Sequence, residues 1–183
     1  MNRSFLVAGL PNLISLGRLV LVPVVIAFIV QPNWTGAFLV FVLAGVSDAV
    51  DGYLARRLNQ RSELGAYLDP LADKALLMSI YVALAVENAL PAAVAICVVS
   101  RDVMIVGAVV VSWVMDKPVA IKPLFISKAN TTGQIVLAAT VLGTKAFDVQ
   151  LGLWLQVLIY GVAALTIVSA TAYFLQWLQH MAE

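Results

Sequence analysis

The sequence predicts an all-α protein built into a membrane, a single bundle of six transmembrane helices occupying residues 1–183. Three observations predict it. The 183 residues are 62% hydrophobic and 11% charged, with a mean hydropathy of +0.98, far from the make-up of a water-soluble domain. A membrane span needs about 20 mainly apolar residues, and six such runs lie between polar, proline or glycine breaks, near 9–30, 34–57, 64–87, 89–114, 126–146 and 152–178. Finally, the formal net charge is only +1, but the bases are unevenly placed. Arg3, Arg18, Arg56, Arg57, Arg61, Lys117, Lys122 and Lys128 lie at or near the N-terminus, the 2–3 connection and the 4–5 connection, whereas the opposite connections carry Lys145 alone. The positive-inside bias therefore puts both termini and the 2–3 connection on the cytoplasmic side, in keeping with an even number of spans.

The first span begins after a basic start and is interrupted by Arg18; with no small-residue cleavage site behind it, it reads as uncleaved. Nothing in it resembles an organellar transit segment. That favours a bacterial inner membrane, with a mature mitochondrial inner-membrane protein looking the same. Gln31-Pro32-Asn33 separates the first span from the second, and a short turn around Arg57 to Glu63 makes spans 2 and 3 antiparallel neighbours. Asn88 to Pro91 opens span 4, which Arg101-Asp102 interrupts roughly mid-way. Asp116-Lys117-Pro118 precedes span 5, and Phe147-Asp148 precedes span 6. Trp34, Trp113, Trp154 and Trp177 fall near span ends, where amphipathic rings anchor at the interface. Cys97 is the lone cysteine, which excludes an internal disulfide and reads as a small core residue. His180, the lone histidine, sits in a tail with no partner and reads as a surface residue. Gly107 reads as a close-packing position, near which a lateral gap is possible, as it is near Pro70.

The chemistry concentrates in SDAVDGYLARRLNQRSELGAYLDPLAD, residues 47 to 73. Asp48, Asp51 and Ala55 are spaced i, i+3, i+7, with Gly52 and Arg56 on the same stripe; Asp69 and Asp73 are i, i+4 on the next helix. Two carboxylate pairs on antiparallel neighbours can converge, and Gly52 and Gly65 leave room for a ligand or a second backbone. An isolated charge in a membrane costs at least ~2.5 kcal/mol, so four carboxylates need compensation. Oxygen-only ligation suits Mg²⁺ or Mn²⁺, and four carboxylates can hold two ions about 4 Å apart, which would in turn hold a pyrophosphate. One competing reading is a solvated acidic turn paired with Arg56, Arg57, Arg61 and Lys74. A cation channel or transporter is another, although its carboxylates would be spread along a mid-bilayer pathway. A lipid-packing or scaffold protein is a third, and its aspartates would tolerate replacement by asparagine.

The pattern Asp48-x2-Asp51-Gly52-x2-Ala55-Arg56-x8-Gly65-x3-Asp69-x3-Asp73 resembles, at every fixed position, the signature of the CDP-alcohol phosphotransferase family of integral membrane enzymes. The length and the six expected spans are similar too. The resemblance implies transfer of a phosphatidyl group from a CDP-linked lipid to an alcohol, with CMP leaving, and it implies a homodimer. Carried over by position, Asp48, Asp51 and Asp69 resemble the ligands of one metal, and Asp48, Asp69 and Asp73 those of a second. Asp73 matches the general base. Asp48, Gly52, Ala55, Arg56, Ser62 and Gly65 match the surroundings of the cytidine diphosphate.

The acceptor alcohol has to be read outside that pattern. An anionic acceptor approaching an anionic donor needs cations, and Arg101 and Lys128, with Lys122 and Arg18, are the candidates for its phosphate. The structural alternative is that Arg101 and Asp102 satisfy buried partners and that Lys122 and Lys128 meet lipid head groups. Electrostatics alone does not choose between a phospholipid and a glycerol phosphate acceptor. PNLISLGRLVLVPV, LGAYLDPLADKALL, VVSRDVMIVGAVV and IKPLFISKANTTGQIVLAA are similar to segments of the eukaryotic-type cardiolipin synthases, while the phosphatidylglycerophosphate synthases share the opening and the aspartate pattern. This resemblance implies CDP-diacylglycerol and phosphatidylglycerol as substrates, and no nucleic-acid partner is expected. Two lipid substrates would need a cavity open to the bilayer at its side.

Overall fold

The computed structural model describes residue 17 and residues 19–58, 63–115 and 125–182, with side chains described for residues 17, 19–50, 73–115 and 125–181. Six helices lie among these residues: α1 (Leu19–Val30), α2 (Trp34–Leu58), α3 (Glu63–Val86), α4 (Ala92–Val114), α5 (Phe125–Ala146) and α6 (Leu153–Ala182). The turns between them have identifiable chemistry. Asn33 caps α2, its side-chain oxygen accepting the Gly36 amide at 3.0 Å. Helix α3 ends on Asn88 in the left-handed region (φ 54°), where the Ala89 amide reaches back to the Leu84 carbonyl and the Asn88 amide to Ala85, a paired closure of the last turn. Asp148 (φ 52°) ends α5 in a similar way, with the Val149 amide on the Thr144 carbonyl.

Helix α6 packs on α4 and α5, α5 also packs on α2 and α3, and α3 packs on α4. The apolar core runs through these seams, with Val25, Ile29, Ile80, Tyr81, Leu84, Val98, Leu137, Val141 and Leu142 closed off from the surface. At Gly143 the approach of α2 is close: a β-carbon there would stand 3.4 Å from the Phe38 ring. The outer surface is apolar as well. Phe125 (86% exposed), Trp154 (77%), Trp113 (73%) and Tyr160 (72%) point outward, while Arg101, Asp102, Ser112, Asn130, Gln134, Thr166 and Ser169 are buried inside. Large apolar side chains outside and polar ones within suit a lipid environment, where inward polar groups bind helix to helix.

By length and composition, α4 and α6 are the helices able to cross a bilayer among the described residues; Leu19–Val30 and the Trp34–Val50 part of α2 are shorter apolar stretches there. Helices α2, α3 and α5 carry charges such as Asp48, Asp73, Lys74 and Lys128 within or beside their apolar runs. Three sequence expectations change. Gly107 faces open space, with nothing within 4 Å of where a β-carbon would be, so it is not a close-packing position among the described residues. Cys97 is only partly buried. His180 lies inside the last turns of α6 instead of beyond the helix, and its Nε2 is enclosed without a hydrogen-bond partner.

Candidate active site

A cavity of about 280 Å³ opens between α2, α3, α4 and α5. Each helix supplies the residues its periodicity brings to one face. From α2 these are Phe41, Ala44, Gly45 and Asp48, the i, i+3, i+4, i+7 stripe; from α3, Asp73, Lys74, Leu76 and Leu77. Helix α4 contributes Asp102, and α5 contributes Thr131, Gln134 and Ile135. The first and last carboxylates of the aspartate pattern therefore line one space. Asp48 is 10 residues short of Leu58 and Asp73 10 residues beyond Glu63, so each stands about 15 Å along its helix from the 2–3 connection. Both carboxylates sit within helices and share the cavity lining with Phe41, Leu76 and Leu77, Asp48 partly buried and Asp73 exposed.

Behind the cavity wall lies a polar cluster that joins α4, α5 and α6. The Arg101 guanidinium is buried; its Nη1 donates to the Asp102 carboxylate, and its Nη2 donates to the Ser127 hydroxyl and, at 3.0 Å, to the Ser169 hydroxyl. The guanidinium also stands 5.6 Å from the centre of the Tyr173 ring. Asp102, whose side chain is 5% exposed, meets a second cation, the Lys74 ammonium, at 3.7 Å. Further along α5, Thr166 Oγ1 lies 2.8 Å from Asn130 Oδ1, and Gln134 Nε2 lies 3.4 Å from Thr166 Oγ1. The Tyr81 hydroxyl donates to the Gln134 backbone carbonyl at 3.0 Å, joining α3 to α5 beside the cavity.

The polar groups lining the cavity are carboxylates, an ammonium, a hydroxyl and an amide, with no thiol or imidazole among the described lining residues. Such oxygen donors fit a hard divalent cation such as Mg²⁺ or Mn²⁺. No group of three metal-ligating side chains occurs among the described residues. Two of the four expected ligands, Asp51 and Asp69, have side chains outside that set, as do Gly52, Ala55, Arg56 and Gly65, although α2 and α3 run through all six positions. Ser62, Arg18 and Lys122 also lie outside the described residues.

Of the basic residues expected at an acceptor phosphate, Arg101 is held within the protein and does not line the cavity, and Lys128 is exposed on α5 and does not line it either. Among the described residues the cation that lines it is Lys74, which the sequence presents only as a salt-bridge partner. Its signal was present in the sequence, because a lysine one residue after Asp73 in an apolar helix needs an anionic partner, and Asp102 is an intramembrane carboxylate awaiting one.

The sequence matches the CDP-alcohol phosphatidyltransferase family over residues 8–174. It is 36% identical over 181 residues to the human cardiolipin synthase (CMP-forming), covering 90% of this chain and 60% of that protein. It is 35% identical over 189 residues to a rice chloroplastic CDP-diacylglycerol–glycerol-3-phosphate 3-phosphatidyltransferase, covering 93% of this chain and 57% of that protein. It is also 35% identical over 145 residues to the Escherichia coli CDP-diacylglycerol–glycerol-3-phosphate 3-phosphatidyltransferase, covering 73% of this chain and 76% of that one. The chain thus spans about 60% of the length of the human relative. With a family match from residue 8 to residue 174 and the first and last aspartates of the motif on one cavity, the chain belongs to the CDP-alcohol phosphatidyltransferase family.

Proposed function

We propose that the protein is a cardiolipin synthase, transferring a phosphatidyl group from CDP-diacylglycerol to the free glycerol hydroxyl of phosphatidylglycerol and releasing CMP. The observation that carries this reading is the cavity shared by Asp48 and Asp73 in a chain of this family. Asp73 accepts the proton of the acceptor hydroxyl, whose oxygen forms the new bond to the donor's lipid-side phosphorus as the bond to CMP breaks. Arg56, with Gly52, Ala55, Ser62 and Gly65 around the cytidine diphosphate, meets the charge that develops on CMP. Asp48, Asp51, Asp69 and Asp73 would hold Mg²⁺ or Mn²⁺, in two sites, supplying charge neutralisation to the diphosphate. Helices α4 and α5 supply the rest of the cavity lining, and α6 backs them through the hydroxyls of Ser169 and Thr166.

The proposal extends to six bilayer-spanning helices in a homodimer, with the active site facing the cytoplasm of a bacterial inner membrane or the corresponding side of a mitochondrial one. The human relative's name favours phosphatidylglycerol as acceptor. A second reading has a specific observation behind it: the rice and E. coli relatives, named for glycerol 3-phosphate, are 35% identical to this chain. The test is CMP release by the purified protein in vesicles containing CDP-diacylglycerol and Mg²⁺, with phosphatidylglycerol or glycerol 3-phosphate added in turn. Turnover with phosphatidylglycerol supports the first reading. Turnover with glycerol 3-phosphate alone replaces it with the second.

A further inference from the structure

Lys74 and Asp102 come from different helices, and both line the cavity that holds Asp48 and Asp73. Arg101 stands behind them. Its guanidinium is engaged by Asp102, Ser127 and Ser169 and lies against Tyr173, so three helices fix its position. Asp102 is thereby neutralised by a fully buried partner before Lys74 is counted. Arg101, Asp102 and Lys74 together carry one net positive charge, and its cavity-facing bearer is Lys74, whose side chain is 35% exposed while that of Arg101 is 3% exposed. At 3.7 Å the Lys74 ammonium touches Asp102 as an ion pair but is too far for a hydrogen bond, so its donors remain available to an anion in the cavity.

We propose that Lys74 binds the phosphate of the acceptor, a phosphorylated glycerol either free or lipid-linked, and that Asp102, itself held by Arg101, positions Lys74 for it. The inference rests on the transferase reading above, in which Asp73 takes the proton of the acceptor hydroxyl. In a phosphorylated glycerol the reactive hydroxyl and the phosphate are separated by three carbons, about 5 Å. Asp73 and Lys74 line the same cavity, so a glycerol whose hydroxyl lies at Asp73 can turn its phosphate toward the Lys74 ammonium on its flexible stem. The donor's diphosphate has other partners in that reading, the metal-binding carboxylates and Arg56. Lys74 is then a binding residue, while Asp102 and Arg101 are positioning residues that act through it. The cationic role that the sequence suggests for Arg101 passes one step forward, to the residue Arg101 helps to hold.

The experiment uses the full chain in vesicles and follows CMP release while acceptor and donor are varied separately. The acceptor arms are phosphatidylglycerol and glycerol 3-phosphate, and the arm the wild type turns over identifies the source of the phosphate. Lys74→Met should raise the acceptor KM about 10-fold or more, the scale of a lost hydrogen bond to a charged group, with the donor KM within about 2-fold. Lys74→Arg should recover most of that loss. Asp102→Asn should shift the acceptor KM in the same direction, and adding it to Lys74→Met should cost little more, because the two act as one unit. An unchanged acceptor KM in Lys74→Met, equal losses for donor and acceptor, or additive losses in the double variant would overturn the proposal. If Lys74→Met gives no turnover, Lys74→Arg decides: a raised acceptor KM with an unchanged donor KM supports it, and equal shifts in both overturn it. Absent wild-type turnover with either acceptor would instead contradict the transferase reading, so the two failures are separable.

Discussion

The hydroxyl of Tyr81 on α3 donates to the backbone carbonyl of Gln134 on α5 across 3.0 Å, with both residues closed off from the surface. The bond ties the helix that carries Asp73 to the helix that carries Thr131 and Gln134, and so fixes the spacing of two cavity walls. A buried hydrogen bond of this kind contributes about 1 kcal/mol. Tyr81→Phe keeps the ring and removes the donor. It should lower the unfolding midpoint in detergent by a few degrees without abolishing turnover, and an unchanged midpoint would remove the bond from the account.

Asp73→Asn should reduce CMP release by about 10²-fold or more, the usual range for losing a positioned general base. CDP-diacylglycerol binding should survive better in this variant than in Asp48→Asn, since Asp48 is assigned to metal and donor together. Binding and single-turnover measurements on both variants would show the split. Near-normal turnover by Asp73→Asn would take the base role away from that residue.

Arg101→Ala would leave Asp102 buried without its strongest partner and would strip Ser127 and Ser169 of their donor. Breaking a buried pair from one side costs about 3–5 kcal/mol, so a large fall in thermal stability is expected. Arg101→Lys should recover only part of it. One ammonium cannot span Asp102, Ser127 and Ser169 as a planar guanidinium does. Equal stability of the wild type and the alanine variant, read by thermal unfolding in detergent, would contradict the structural role.

Chelation should abolish CMP release, and added Mg²⁺ or Mn²⁺ should restore it, because an all-oxygen carboxylate set depends on a hard cation to neutralise the diphosphate. Full activity in excess chelator would contradict the metal assignment.

The helices were legible in the sequence where the breaks have local chemistry. Asn33, Asn88 and Asp148 stop or start helices through bonds to residues within a turn, so the edges at Trp34, Val86 and Ala146 fall within a residue of those expected. The partners of Arg101 were not legible. Ser127 and Ser169 lie 26 and 68 positions away, and only the packing of α4 on α6 and of α6 on α5 brings them to the guanidinium. A weaker sign went unread on α5, where Ser127, Asn130, Thr131 and Gln134 repeat at helical spacing and make one polar stripe that faces α4, α6 and the cavity. Lys74 was legible only as a salt-bridge partner, because its neighbour Asp73 accounts for the segment without a cavity-lining cation.

The central claim is tested most directly by the fate of the donor's acyl chains. Vesicles containing the purified protein, Mg²⁺, unlabelled phosphatidylglycerol and CDP-diacylglycerol with isotopically labelled acyl chains would be incubated and their lipids examined by mass spectrometry. The account predicts cardiolipin with one labelled and one unlabelled phosphatidyl half, formed in step with CMP and lost in Asp73→Asn. No labelled cardiolipin, with labelled phosphatidylglycerophosphate appearing only when glycerol 3-phosphate is added, would contradict it.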